Sequence, residues 1–178
     1  SNVYNFNLLT HNRITCLKED EQKNLYIGTN EGLNILNKKT GHIIKSKHPQ
    51  FSRNYIASIT QTAEGEIWVG TNNGLYNYCL EKDSCHKILD KTIKGMLVDS
   101  KQNIWVGTWS EGLFRYHPKD KKWIEYPQLN EYNSAHVIFE DSQNRIWIGS
   151  FGKGITLLQH PYDMKKLSWI TFSAEDPT

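Results

Sequence analysis

At 178 residues, the chain is long enough for one domain or for part of a larger one. A formal net charge of +2 excludes the dense basic footprint of a nucleic-acid or anionic-membrane binder, and no apolar run approaches the ~18 residues of a membrane span. The aromatic share of 12 %, with six Trp, nine Tyr and six Phe, suits sheets packed on sheets.

Taken in chain order, the elements repeat. Ser1-Asn2 reads as the remnant of a cleaved tag, so native targeting is not legible, and residues 1–13 are expected to form a lead-in strand. The first repeat, about 14–54, runs from Ile14 and Leu17 through a turn at Asp20 to Leu25-Tyr26-Ile27-Gly28-Thr29, then Gly32-Leu33, then His42–Lys45. The second, 55–92, has Ile56 and Ile59, Thr62 and Gly65 in the turn, Ile67-Trp68-Val69-Gly70-Thr71, Gly74-Leu75 and His86–Leu89. The third, 93–134, has Ile93 and Met96, Asp99, Ile104-Trp105-Val106-Gly107-Thr108, Gly112-Leu113 and Lys122–Tyr126. The fourth, 135–178, has Ala135 and Ile138, Asp141, Ile146-Trp147-Ile148-Gly149-Ser150, Gly154-Ile155 and Ser168–Phe172.

Gly28, Gly70, Gly107 and Gly149 thus recur 42, 37 and 42 residues apart, and each unit reads as four short strands, A to D, joined by polar turns. The B segment decides the architecture. Its aromatic Tyr26, Trp68, Trp105 or Trp147 points to one side and its aliphatic neighbours to the other, so the strand is apolar on both faces and must be buried on both. Four-stranded sheets stacked face to face around an axis meet that demand, which predicts an all-β fold of four β-propeller blades. The B-strand glycine lets the neighbouring sheet approach. The short side chains at Asp20, Asp99 and Asp141 are expected to close the A–B turns.

The run Glu140-Asp141-Ser142-Gln143-Asn144-Arg145-Ile146-Trp147-Ile148-Gly149-Ser150 followed by Gly154-Ile155, and the matching run from Asp99 to Leu113, resemble the two-component regulator propeller repeat. Tyr26 in place of Trp, and Thr62 with Gly65 in the turn, depart from its pattern without disturbing the apolar framework. The resemblance implies the periplasmic sensor region of a hybrid two-component protein of gut Bacteroidetes. In such proteins two seven-bladed propellers precede a sandwich domain, a membrane span and a histidine kinase, and the sensors govern the use of complex glycans. Four blades are therefore expected to be an excerpt, with membrane attachment only through parts outside it. An open arc leaves two apolar sheet faces. The expected consequence is homodimerisation or other self-association through those faces, two arcs forming an eight-bladed ring, with tight four-bladed closure as the alternative.

Little in the sequence signals chemistry. The seven histidines form neither His-x-His nor His-Glu-x-x-His, and the Asp turns offer one carboxylate per copy, so no metal site is expected. Gly149–Gly154 is superficially like a phosphate loop, but Gly, not Ser or Thr, follows Lys153. No nucleophile elbow occurs. The chain is expected to be no enzyme and to hold no cofactor. Cys79 and Cys85 are close enough to bridge a hairpin, or are reduced thiols; the sequence leaves both open.

Ligand contact is expected at the B–C turns, which share one propeller face with the D–A links. The third and fourth of these turns carry rings, Trp109-Ser110-Glu111 and Phe151-Gly152-Lys153. A ring beside polar groups suits oligosaccharide, whose apolar face stacks while its hydroxyls take hydrogen bonds. The link with His48, Phe51, Arg53 and Tyr55 is a second candidate, and the link with Tyr132 and Asn133 a third. The alternative to a sensor module is a non-catalytic interaction scaffold.

Overall fold

The computed structural model describes residues 8–126 and 135–174, so the Tyr132–Asn133 link lies outside the described residues. The chain divides into two compact units, Ser1–Asp90 and Lys91–Thr178. The described residues contain no helix and form four antiparallel four-stranded sheets.

The first unit holds two sheets. One is β1 (Ile14–Glu19), β2 (Asn24–Thr29), β3 (Gly32–Asn37) and β4 (Ile43–Lys45); the other is β5 (Ile56–Gln61), β6 (Ile67–Thr71), β7 (Gly74–Cys79) and β8 (Ser84–Leu89). The second unit repeats the plan. It has β9 (Ile93–Val98), β10 (Ile104–Thr108), β11 (Leu113–His117) and β12 (Lys122–Tyr126), then β13 (Ala135–Glu140), β14 (Ile146–Ser150), β15 (Ile155–Gln159) and β16 (Ser168–Phe172). Each sheet is a meander in which strands pair in chain order, which is the predicted propeller blade. Residues 8–13 of the lead-in are bends and coil, not strand. Thr10 there receives its partners from side chains instead of a ladder: its N–H donates to Asn34 Oδ1 at 3.0 Å, and its hydroxyl meets that of Thr29 at 2.9 Å.

Each A–B turn has the same backbone. In the third blade the Gln102 N–H donates to Asp99 O, and Gln102 takes φ 64° to close the turn. Lys23, Gly65 and Asn144 occupy that left-handed position in the other copies, with φ of 70°, 83° and 58°. Asn144 thus stands one place before the equivalent of Asn24 and Asn103, and is suited to it because Asn tolerates this conformation better than most residues.

The turn aspartate does more than close the turn. Asp99 accepts the N–H groups of Lys101 and Asn103 on Oδ1, and the Trp105 indole at 2.8 Å on Oδ2. Asp141 does the same for Trp147, also at 2.8 Å. In the second blade Thr62 has no such reach, and the Trp68 indole donates to Glu66 instead. The turn therefore holds in place the ring on the strand that follows it.

Within each unit the two blades pack face to face. Tyr26, Leu33 and Ile35 of the first blade share a core with Phe51, Ile56, Ile59, Tyr76 and Tyr78. Trp105, Leu113 and Tyr126 of the third share one with Ala135, Ile138, Ile148 and Leu158. The B-strand glycines permit this approach: a Cβ on Gly28 would lie 2.8 Å from Ile56 Cγ2, and one on Gly107 would overlap the Ala135 carbonyl oxygen. Cross-blade polar contacts add to it. Ser100 donates from both its N–H and its hydroxyl to Glu140, and buried Arg115 donates to Pro161 O at 2.8 Å while lying over the rings of Trp105 and Tyr162.

All three cysteines are free. In the β7–β8 ladder Cys85 stands opposite Tyr78 and Cys79 opposite Ser84, so the two thiols point to opposite faces of the sheet and cannot bridge.

Candidate functional site

The B–C turns are built by a hydroxyl and a glycine. Thr108 Oγ1 donates to Gly112 O at 2.9 Å and accepts the Glu111 N–H at 3.0 Å; Thr29 and Thr71 bind their own turns likewise. This closure holds the intervening residues out of the sheet. In the third and fourth blades it presents Trp109, 47 % exposed, and Phe151, 72 % exposed.

These two rings converge. Their centroids are 6.4 Å apart, and His136, at the start of β13, completes a triangle with them, 5.5 Å from Trp109 and 5.8 Å from Phe151 with its ring stacked on the latter. Lys94, near the start of β9, places its ammonium 4.4 Å over the Trp109 ring. Partial burial, with the nearby Lys94 charge, lowers the His136 pKa from its ordinary value, so the imidazole is neutral at pH 7. Three rings, stacked or tilted against one another at one strand end and flanked by a cation, form an aromatic platform for an apolar ligand face.

The other expected residues sort around it. Glu111 is ion-paired with Lys91 at the edge of the Trp109 turn, and Lys153 is exposed in the Phe151 turn. Arg53 and Tyr55 belong to the first unit, where Arg53 has φ 60° in the link and the Tyr55 carbonyl accepts the Asn72 N–H. Phe51, expected as an exposed link residue, is instead fully buried: the link folds back so that its ring packs edge-on against Tyr76 and Tyr78, at 5.8 and 5.3 Å. His48 lies half-buried behind it, 6.0 Å away.

Two cavities of about 660 Å³ lie at the opposite strand ends, among the A–B and C–D turns. One is lined by Asp20, Asn24, Glu66, Tyr78 and His86, the other by Asn103, Arg115, His117, Trp123 and Tyr162. Their polar groups largely serve the fold: Asp20 holds Asn24, Tyr78 donates to Asp83, and Tyr162 donates to Asp99. The exposed rings at the B–C end have no such internal task, which makes that end the candidate site. Among the described residues no cluster of three metal-ligating side chains occurs.

Four stretches of the chain, residues 8–31, 50–73, 87–110 and 130–152, match the two component regulator propeller family. The chain belongs to that family. The fold is also similar to that of solved structures. The extracellular domains of two hybrid two component systems from B. thetaiotaomicron superpose with TM-scores of 0.74 and 0.72, at 20 % and 22 % identity, over 92 % and 93 % of this chain and 23 % and 22 % of theirs. A histidine kinase P4 of Formosa agariphila is 28 % identical over 84 % of this chain and 13 % of its own length. The chain therefore spans less than a quarter of each of these relatives.

Proposed function

We propose that these blades are the ligand-binding part of an extracytoplasmic, periplasmic sensor in a hybrid two-component signalling protein, and that the ligand is an oligosaccharide. The observation that carries the reading is the convergence of Trp109, His136 and Phe151 into one exposed platform. Family membership and the naming of related propellers as extracellular domains of two component systems support the sensor role.

The platform suits a pyranose for a physical reason. The sugar's C–H face stacks on the rings, removing apolar surface from water on both sides. Lys94, Glu111 and Lys153 stand around the rings and supply donors and an acceptor for the outward hydroxyls. No step of covalent chemistry is assigned to the site; binding energy is its whole output. Arg53 and Tyr55, in the first unit, form a separate candidate contact.

Calorimetric titration against a library of neutral oligosaccharides tests the proposal. Saturable binding that weakens at least tenfold in Trp109→Ala, about 1.4 kcal/mol, is the expected result. Binding that is indifferent to Trp109 and Phe151 removes the platform from the account, and silence across the library favours an interaction scaffold.

A further inference from the structure

The four blades are one motif, so each copy serves as a control for the others. On β3, β7, β11 and β15, the residue paired with the inner-strand ring is Ile35, Asn77, Arg115 and Leu157 in turn. Ile35, Arg115 and Leu157 are all buried, at 1 %, 5 % and 7 % exposure. A guanidinium therefore stands where the fold elsewhere accommodates an aliphatic side chain. Taking that charge out of water is costly unless it is paired and its donors are met.

The chain itself meets neither condition. Arg115 Nη1 donates to Pro161 O, Nε has no acceptor, and among the described residues no carboxylate lies within ion-pairing distance. Asp99 is nearby, but its oxygens are taken by the Asn103, Trp105 and Tyr162 donors. The rings of Trp105, Tyr126 and Tyr162 attract the charge, with centroids 5.4, 5.9 and 5.0 Å away, but a ring face offers no lone pair to the N–H groups.

Arg115 lines the cavity of about 660 Å³ in the second unit, and the lysines that join it there, Lys101, Lys121 and Lys122, are exposed. Asp120, the one carboxylate in the lining, lies 3.2 Å from His117 Nδ1. Lys101 Nζ sits 3.7 Å over the Tyr162 ring that Arg115 also lies over, so two like charges share one ring. This basic lining is not a property of the motif. The matching cavity of the first unit is lined by Asp20, Glu64, Glu66 and Glu81, with Lys82 as its one Lys or Arg.

We propose that the cavity of the second unit binds a small organic anion, whose carboxylate or sulfate group pairs with Arg115. The guanidinium's planar fork suits two oxygens of such a group, and the lysines add charge around it. Ile124 and the Tyr162 ring supply apolar surface for the ligand's body. The site is separate from the Trp109 platform.

Calorimetric titration of the full chain with sodium glucuronate, glucose 6-sulfate, glucose and inorganic sulfate tests this. One of the two acidic sugars should bind saturably and at least tenfold more tightly than glucose; the tighter of the two names the acidic group. Arg115→Ile, which installs the residue of the first blade, should stay folded by near-ultraviolet circular dichroism and weaken that binding at least tenfold. K101Q/K122Q, at exposed positions, should weaken it at least threefold and keeps the test decisive if Arg115→Ile does not fold. No binding of either acidic sugar, or binding no tighter than that of glucose, overturns the proposal. So does binding that these variants leave unchanged. Inorganic sulfate bound as tightly as the sugars overturns the organic ligand, and binding lost in Trp109→Ala but kept in Arg115→Ile places the anion on the aromatic platform and equally overturns the proposal.

Discussion

Asp99 is buried, yet its carboxylate is matched by donors on every side: the Lys101 and Asn103 N–H groups, the Asn103 amide, the Trp105 indole and the Tyr162 hydroxyl. Replacing it with Ala strands several buried donors, each costing roughly 1–3 kcal/mol. Asp99→Ala should therefore lower stability in urea unfolding by at least ~3 kcal/mol. Asp141→Ala, in a turn open to water, should lose less. There desolvation opposes ionisation, but hydrogen bonds from Trp147 and Arg145 prevail and hold the carboxyl well below the usual range. His136 is lowered too, but by burial and a like charge and not by hydrogen bonds. Desolvation and Lys94 depress its folded pKa below the unfolded 6.5, so the unfolded chain takes up the proton first. Its contribution is complete above about pH 6.5 and is lost as pH falls through that value and then through the lower folded one. Thermal melts from pH 7.5 to 5 should show a decline that His136→Phe reduces.

The blade is the element on which the sequence speaks most clearly. Its strands are consecutive and its contacts local, so apolar B strands, turn residues and glycines at fixed offsets reveal it directly. The glycine spacing also separates two roles that look alike in the chain. Gly107 lies against the Ala135 backbone, so Gly107→Ala forces the third and fourth blades apart and should cost roughly 1–3 kcal/mol in chemical unfolding. Gly149→Ala meets only Val137, at 3.4 Å, and should leave the unfolding midpoint nearly unchanged. Nothing in the local sequence distinguishes these positions, because the difference lies in what packs against each among the described residues. The role of the turn aspartate as acceptor for the core indole was equally hidden, since it depends on a ring six residues away turning back over the turn.

At the scale of the molecule, the candidate site was half legible. Trp109 and Phe151 stood out because rings are unusual in tight polar turns. His136 did not, because it joins them only when β13 is laid beside the preceding blade, and its neighbours in sequence mark it as an ordinary strand residue. Phe51 was misread for the converse reason: a polar link around a single ring looks exposed until the link folds over Tyr76 and Tyr78. The central claim beneath the site is that the inner-strand rings Tyr26, Trp68 and Trp105 are buried away from water. Labelling with 5-fluorotryptophan tests it most directly, with resonances assigned through single Trp→Phe variants and solvent contact read from the ¹⁹F shift between H₂O and D₂O. Trp68 and Trp105 should show almost no solvent shift, and Trp109 a large one; a full solvent shift at Trp105 in the folded protein would contradict the account.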